Sequence, residues 1–259
     1  MRHRLTLALL FIAVASVSGF VAHARLPVRA SAESALIDAQ FRVTFIVLAT
    51  LFLLAHLVLG FVIWRRRSAE RKSAISNRME AVWAVIIVLI FAALGISGSR
   101  VLAATRTYPE HDAIHLEATG MQFQWYFRYP GADGRFGETK PEMIDASVGN
   151  PLGIDPADRD GNDDVVSTSA VVPVGHTVEL TLHAQDVIHS FFLPNMRVKQ
   201  DAVPGMDTHL RFTPTTVGDY EVACAELCGL GHYRMNTRLR VVSEGEYAAW
   251  LSEHQRSAR

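Results

Sequence analysis

Cysteine is nearly absent from this chain, with only Cys224 and Cys228 in 259 residues. That excludes a small domain stapled by several disulfides. No cysteine stands by the N-terminal apolar run, so a lipid-anchored N-terminus is not expected. No C-x-x-C-H run occurs, and a covalently held haem is not expected within the chain. Internal repeats and a phosphate-binding glycine loop are also missing, which removes the common nucleotide-binding readings. Positive charge is scarce from Arg100 onward, where 14 Lys and Arg face 22 Asp and Glu, a formal charge of −8. Nucleic acid is therefore a partner of the wrong sign, whereas a basic protein is drawn to such a surface.

Charge is missing altogether from two stretches, Val43 to Trp64 and Ala81 to Ser99. Each is long enough to cross a bilayer core, which needs about 20 apolar residues. Between them Arg65, Arg66, Arg67, Arg71, Lys72 and Arg78 outnumber the single acid Glu70, so the positive-inside rule places loop 65–80 on the cytoplasmic side. The chain then reads as a hairpin over 25–100, with everything from 101 to 259 in the periplasm or its equivalent. Met1 to Ala24 opens with Arg2 and Arg4, continues with an apolar run and closes on Ala22-His23-Ala24, the order of a cleaved secretory signal. A third membrane helix is the rival reading, and the run from Leu5 to Ala22 is barely long enough for it.

What is present after residue 100 is a series of short segments rich in branched and aromatic residues. Ile114–Thr119, Gln122–Tyr129, Thr177–Leu182, His209–Phe212, Tyr220–Val222 and Thr237–Val242 read as strands, with Glu244–His254 as a terminal helix. Strands joined by Gly and Pro turns, with no helices between them, predict an all-β Greek-key sandwich or barrel. Residues 130–164 are crowded with Gly, Pro and Asp and lack apolar periodicity, which predicts an insertion loop. Asp158-Arg-Asp160-Gly-Asn162-Asp-Asp164 has part of a calcium-loop pattern but not the acid that closes one.

The chemistry is concentrated in Cys224-Ala-Glu226-Leu-Cys228-Gly-Leu-Gly-His232-Tyr-Arg-Met235. Two thiols in an exported domain point first to a disulfide, and two Cys with two His would suit zinc. Neither uses Met235, whereas a copper thiolate site takes thiolates, imidazole and a weak thioether together. The nearest further imidazole is in Asp186-Val-Ile-His189-Ser-Phe191, and Phe191, Phe192 and Leu193 after it suit an apolar shell.

C-x-E-x-C-x3-H-x2-M, preceded by D-V-x-H-S-F and by Lys199-Gln-Asp201-Ala-Val-Pro204-Gly205, resembles subunit II of cytochrome c oxidase from the first span to about Val242. The resemblance implies a cupredoxin-like barrel and a binuclear copper centre. Cys224 and Cys228 would bridge two coppers, His189 and His232 would be terminal ligands, and Met235 and the Glu226 carbonyl weak ones. It also implies that the Glu226 carboxylate reaches a magnesium shared with subunit I. Trp125, in Gly120-Met-Gln-Phe-Gln124-Trp125-Tyr-Phe127, matches the tryptophan that receives electrons from cytochrome c. Tyr126, Phe127 and Tyr129 are read as packing, and acids such as Asp186 as docking groups. Glu80-Ala-Val-Trp83 matches an E-x-x-W pattern whose glutamate opens a proton path, although Ala84 and Ile87 depart from the family there. A membrane-tethered copper carrier with no oxidase role is the competing function, and Trp125, Glu226 and His189 favour the oxidase.

Overall fold

The structure, a computed structural model, describes residues 2–23, 26–65, 76–105 and 113–257. Ala24, where signal cleavage is expected, and the basic cluster Arg66–Lys72 lie outside the described residues. The chain forms two compact units, one of residues 1–27 and 36–107, the other of residues 28–35 and 108–259.

The first unit is helical. Helix α1 spans Arg2–His23, α2 Ser34–Arg65 and α3 Asn77–Ala104. Among the described residues, α2 and α3 are the two helices long and apolar enough to cross a membrane, and almost none of either is buried within the protein. Helices apolar on every side and unburied by protein are what lipid surroundings select. Both exceed the uncharged stretches: α2 begins nine residues before Val43, where Ala35, Leu36, Ala39 and Gln40 are good helix formers. The apolar run of α1, Thr6–Val21, is shorter. His56 within α2 is satisfied by its own helix, with Nδ1 2.8 Å from the Phe52 carbonyl and its ring 4.2 Å from that of Phe52.

Among its described residues the second unit holds ten strands: β1 Ile114–Met121, β2 Gln124–Tyr129, β3 Val165–Ser167, β4 Ala170–Pro173, β5 Val178–Ala184, β6 His189–Leu193, β7 Val198–Ala202, β8 Thr208–Phe212, β9 Gly218–Cys224 and β10 Asn236–Val242. They make two five-stranded sheets, ordered β3-β2-β1-β5-β8 and β4-β10-β9-β6-β7. The pairs β1/β5 and β4/β10 are parallel and the remaining neighbours antiparallel, the mixed pattern of a cupredoxin-like Greek-key sandwich. Strand periodicity of two sends Trp125, Phe127 and Tyr129 of β2 into the core, where they meet Phe191, Leu193, Leu180 and Leu239. Helix α4, Glu244–Ser257, starts at a capping box in which the Ser243 backbone N–H and hydroxyl both donate to Glu246. It packs Tyr247, Trp250 and Leu251 on the core, with Trp250 edge-on to Tyr129 at 4.9 Å.

Two attachments lie outside the strand ladder. Residues 28–35 are stitched to the sandwich by Ala30 N–H to the Asn195 carbonyl, Thr215 N–H to the Ala30 carbonyl, and the Ser31 hydroxyl to the Met196 carbonyl. Residues 130–164 contain no strand and cover the outer face of β2, where Arg128 is only 2% exposed. Its guanidinium donates to Asp164, to the Gly137 carbonyl at 2.6 Å and to Glu117 at 3.2 Å, and stacks over Phe136. Arg128 is thus the anchor of the insertion. The loop's own carboxylates cap backbone groups: Asp158 accepts from the Glu138 and Asp160 N–H groups, and Asp163 from the Ala132 N–H.

Candidate metal centre

Strand β9 ends at Cys224 and β10 begins at Asn236, so the intervening residues form one loop whose base is closed by Cys224 N–H to the Met235 carbonyl at 3.0 Å. A short 3-10 turn at His232–Arg234 folds the second half back over the first. His189 arrives on β6, which pairs with β9 at Phe191↔Cys224. The fold thereby brings together donors separated by up to 46 positions in sequence.

The thiols are free, with their sulfurs 4.0 Å apart. The Cys224 sulfur lies 3.9 Å from His189 Nδ1 and 3.2 Å from the Glu226 carbonyl oxygen. That of Cys228 lies 3.6 Å from His232 Nδ1 and 3.7 Å from the Met235 sulfur. All six groups expected from the sequence converge. His189, Cys224 and Cys228 are buried, and their donor atoms lie within 4.8 Å of one another. Met235 is buried, His232 half-buried, and the Glu226 side chain exposed.

Electrostatics within the cluster separate the two thiols. Burial alone would push Cys224 up, but hydrogen bonds with His189, with the Ser190 and Glu226 backbone and with His232 outweigh it and bring the thiol down to about 6. Cys228 is pushed up to about 11 by burial and by its proximity to Cys224. Two thiolates this close repel, so the pair keeps one proton until a cation neutralises both. The Asp186 carboxylate holds His189 Nε2 at 2.8 Å, which leaves Nδ1 turned toward the sulfurs, as a ligand imidazole is normally braced. Two thiolates, two imidazoles and a thioether in an apolar pocket fit a soft metal such as copper and leave no donor unused.

The remaining candidates lie elsewhere. Trp125 is fully buried, with its ring centroid 5.9 Å from that of His189 and 5.5 Å from that of Phe191, and its indole N–H has no partner among the described residues. Position 125 shares the inward face of β2 with 127 and 129, so the indole reaches no part of the surface. Asp186 is exposed, and its carboxylate accepts also from the Gln122 and Val187 N–H groups. Glu80 is exposed in the first turn of α3. His183 lies between Asp207 at 2.9 Å and Glu117 at 3.7 Å, and His209 meets Thr181. Large apolar residues of the metal loop face outward: Leu227 is 79% exposed, Leu230 98% and Tyr233 76%. Gln122, which sequence reasoning passed over, donates its side-chain amide to the Cys228 carbonyl at 2.5 Å.

Comparison with known proteins places these features. The family described as cytochrome c oxidase subunit II, periplasmic domain, matches residues 114–242. The chain is 35% identical over 225 residues to the alternative cytochrome c oxidase subunit 2 of Bradyrhizobium diazoefficiens, covering 85% of this chain and 80% of that one. It is 30% identical over 229 residues to cytochrome c oxidase subunit 2 of Cereibacter sphaeroides, covering 80% and 72%. A crystal structure of the periplasmic domain of subunit II of cytochrome oxidase of Bradyrhizobium japonicum is similar at 28% identity and a TM-score of 0.44, over 59% of this chain and all of that one.

Proposed function

Since the chain belongs to the cytochrome c oxidase subunit II family, a component of haem-copper oxidases, we propose that it receives electrons from cytochrome c at a binuclear copper centre. It passes them to the haem of subunit I, where oxygen is reduced to water with proton translocation. The observation that carries this reading is the convergence of both thiols with His189, His232, Met235 and the Glu226 carbonyl. Cys224 and Cys228 would bridge the metals, the imidazoles would complete each coordination shell, and Met235 and the Glu226 carbonyl would be weak ligands. When bound, the copper pair supplies a one-electron carrier whose charge is spread over two metals and two sulfurs, so that bonds change little on reduction. The chain's own residues do the rest. Asp186 orients His189, and Phe191, Leu193 and Trp125 keep water from the inner side.

The membrane and partner assignments belong to the same proposal. Helices α2 and α3 form a hairpin with its basic loop in the cytoplasm and the copper domain in the periplasm, and the segment before Arg25 is a cleaved signal. The exposed carboxylate of Glu226 would share a magnesium with subunit I, and Glu80 would open a proton path at the head of α3. Leu227, Leu230 and Tyr233, which a water-facing loop does not need, suit burial against a partner subunit. Trp125 would serve as an inner contact of His189.

Two measurements test the reading. The oxidase purified with this chain is expected to carry two coppers per copy of it beyond the copper that a haem-copper oxidase holds beside its haem, and to show a purple, delocalised mixed-valence centre. A single copper beyond that one, or tightly held zinc without colour, would contradict it. The acidic outer domain predicts that association with a basic cytochrome c weakens as salt rises, since the Debye length is about 10 Å at 0.1 M. A salt-insensitive association rate would remove the cationic donor.

A further inference from the structure

Residues 120–123, at the end of β1 and in its turn to β2, touch each side of the metal centre without belonging to the expected ligand set. Gly120 lies so close to the His189 ring that a Cβ there would come within 2.8 Å of Cδ2. The Gln122 backbone N–H donates to one oxygen of Asp186 at 2.8 Å, and the other oxygen of that carboxylate holds His189. The Gln122 side-chain amide donates to the Cys228 carbonyl at 2.5 Å. Phe123 lies on Gly229 and Gly231, where a Cβ at Gly231 would meet its ring at 2.4 Å. Gly231 has φ −92, so alanine is compatible with the backbone there, and the three atoms nearest to its Cβ would all belong to the Phe123 ring.

We infer that the Gln122–Phe123 turn is a clasp that sets the geometry of the metal loop, with Gln122 the positioning residue for Cys228 and, through Asp186, for His189. The inference deepens the copper reading and rests on it for its functional consequence. One turn ties together two ligand segments that lie 64 and 106 positions away in sequence. The loop needs such a tie because Leu227, Leu230 and Tyr233 point outward and give it no core of their own. Ligands held by partners of fixed orientation keep their geometry between redox states, and losing such a partner typically costs 10–100-fold in metal affinity.

The test uses the full chain in detergent, as Gln122→Leu, with and without copper. In the metal-free chain, amide hydrogen exchange over residues 226–235 is expected to speed by roughly tenfold, while exchange in β5 and β10 stays unchanged. In the loaded chain, copper is retained but its visible bands and hyperfine pattern shift, and loss to a chelator is about tenfold faster. Gly231→Ala is expected to reproduce the spectral shift, and Phe123→Ala in the same chain to relieve it, because the two side chains contend for one space. Unchanged exchange together with unchanged bands in Gln122→Leu would overturn the clasp. A parent chain that binds no copper would overturn the copper reading instead, and the metal-free exchange experiment would still decide the clasp.

Discussion

Serine at Cys224 or Cys228 is expected to abolish the copper centre and, with it, donor-driven oxygen consumption by the assembled oxidase. Each sulfur stands among donors on both sides: Cys224 near His189 and the Glu226 carbonyl, Cys228 near His232 and Met235. A serine hydroxyl does not ionise near neutral pH and is a hard donor, so it replaces neither the charge nor the softness of a thiolate. Changes one bond further out already cost about 10–100-fold in affinity, and loss of a bridging ligand should exceed that. Met235→Leu is the internal control. Met235 is buried, and the swap conserves volume at a cost below about 1.5 kcal/mol, so the variant should fold and keep copper while its reduction potential changes. Metal analysis with a potential titration on all three variants decides the matter. Equal copper loss in Met235→Leu and Cys228→Ser would remove the distinction between bridging and weak ligands.

The legibility of the site followed from how locally it is written. Four ligand side chains fall within Cys224–Met235, and the fifth lies in a motif of fixed composition, so their types and spacings are sufficient signal. The braces are different. A glutamine in a turn advertises nothing, and only the pairing of β6 with β9 and the return of the loop bring Cys228 to Gln122. The role of Arg128 is hidden from the sequence for a related reason. Charge on the outer face of a strand ordinarily means solvent, and the cover supplied by residues 130–164 is a tertiary event.

The same contrast runs through the fold. Helices α2 and α3 were visible because an uncharged run of membrane length needs no partner to be recognised, and the longer strands because apolar residues alternate along them. Strands β3, β4 and β7 were not foreseen. Val165–Ser167 and Ala170–Pro173 are too short to display a period, and Val198-Lys-Gln-Asp-Ala202 has only its ends apolar, so its pairing with β6 is what makes it a strand. For β2 the parity is present in the sequence. Positions 125, 127 and 129 share one face, and all three are buried.

That parity changes what substitution at Trp125 should do. Trp125→Ala removes a fully buried indole from the centre of the sandwich, and such truncations cost about 3–5 kcal/mol, a fall in the thermal midpoint on the order of 10 °C for a unit of this size. Slower electron uptake in that variant would therefore mix a packing defect with any loss of an electronic contact. Trp125→Phe separates them. Phenylalanine keeps an aromatic edge toward His189 and Phe191 and removes the indole N–H, which has no partner among the described residues, so the expected stability change is below about 1.5 kcal/mol. If Trp125 is an inner contact on the route into the centre, the phenylalanine variant transfers electrons from cytochrome c severalfold more slowly while its copper content and donor affinity stay at parental values and its thermal midpoint falls by only a few degrees. Donor affinity in particular should not move, because no part of the side chain reaches the surface. Stopped-flow reduction of the purified oxidase at several ionic strengths gives the rate and the binding constant separately. An unchanged rate in Trp125→Phe would leave the residue with packing as its whole role.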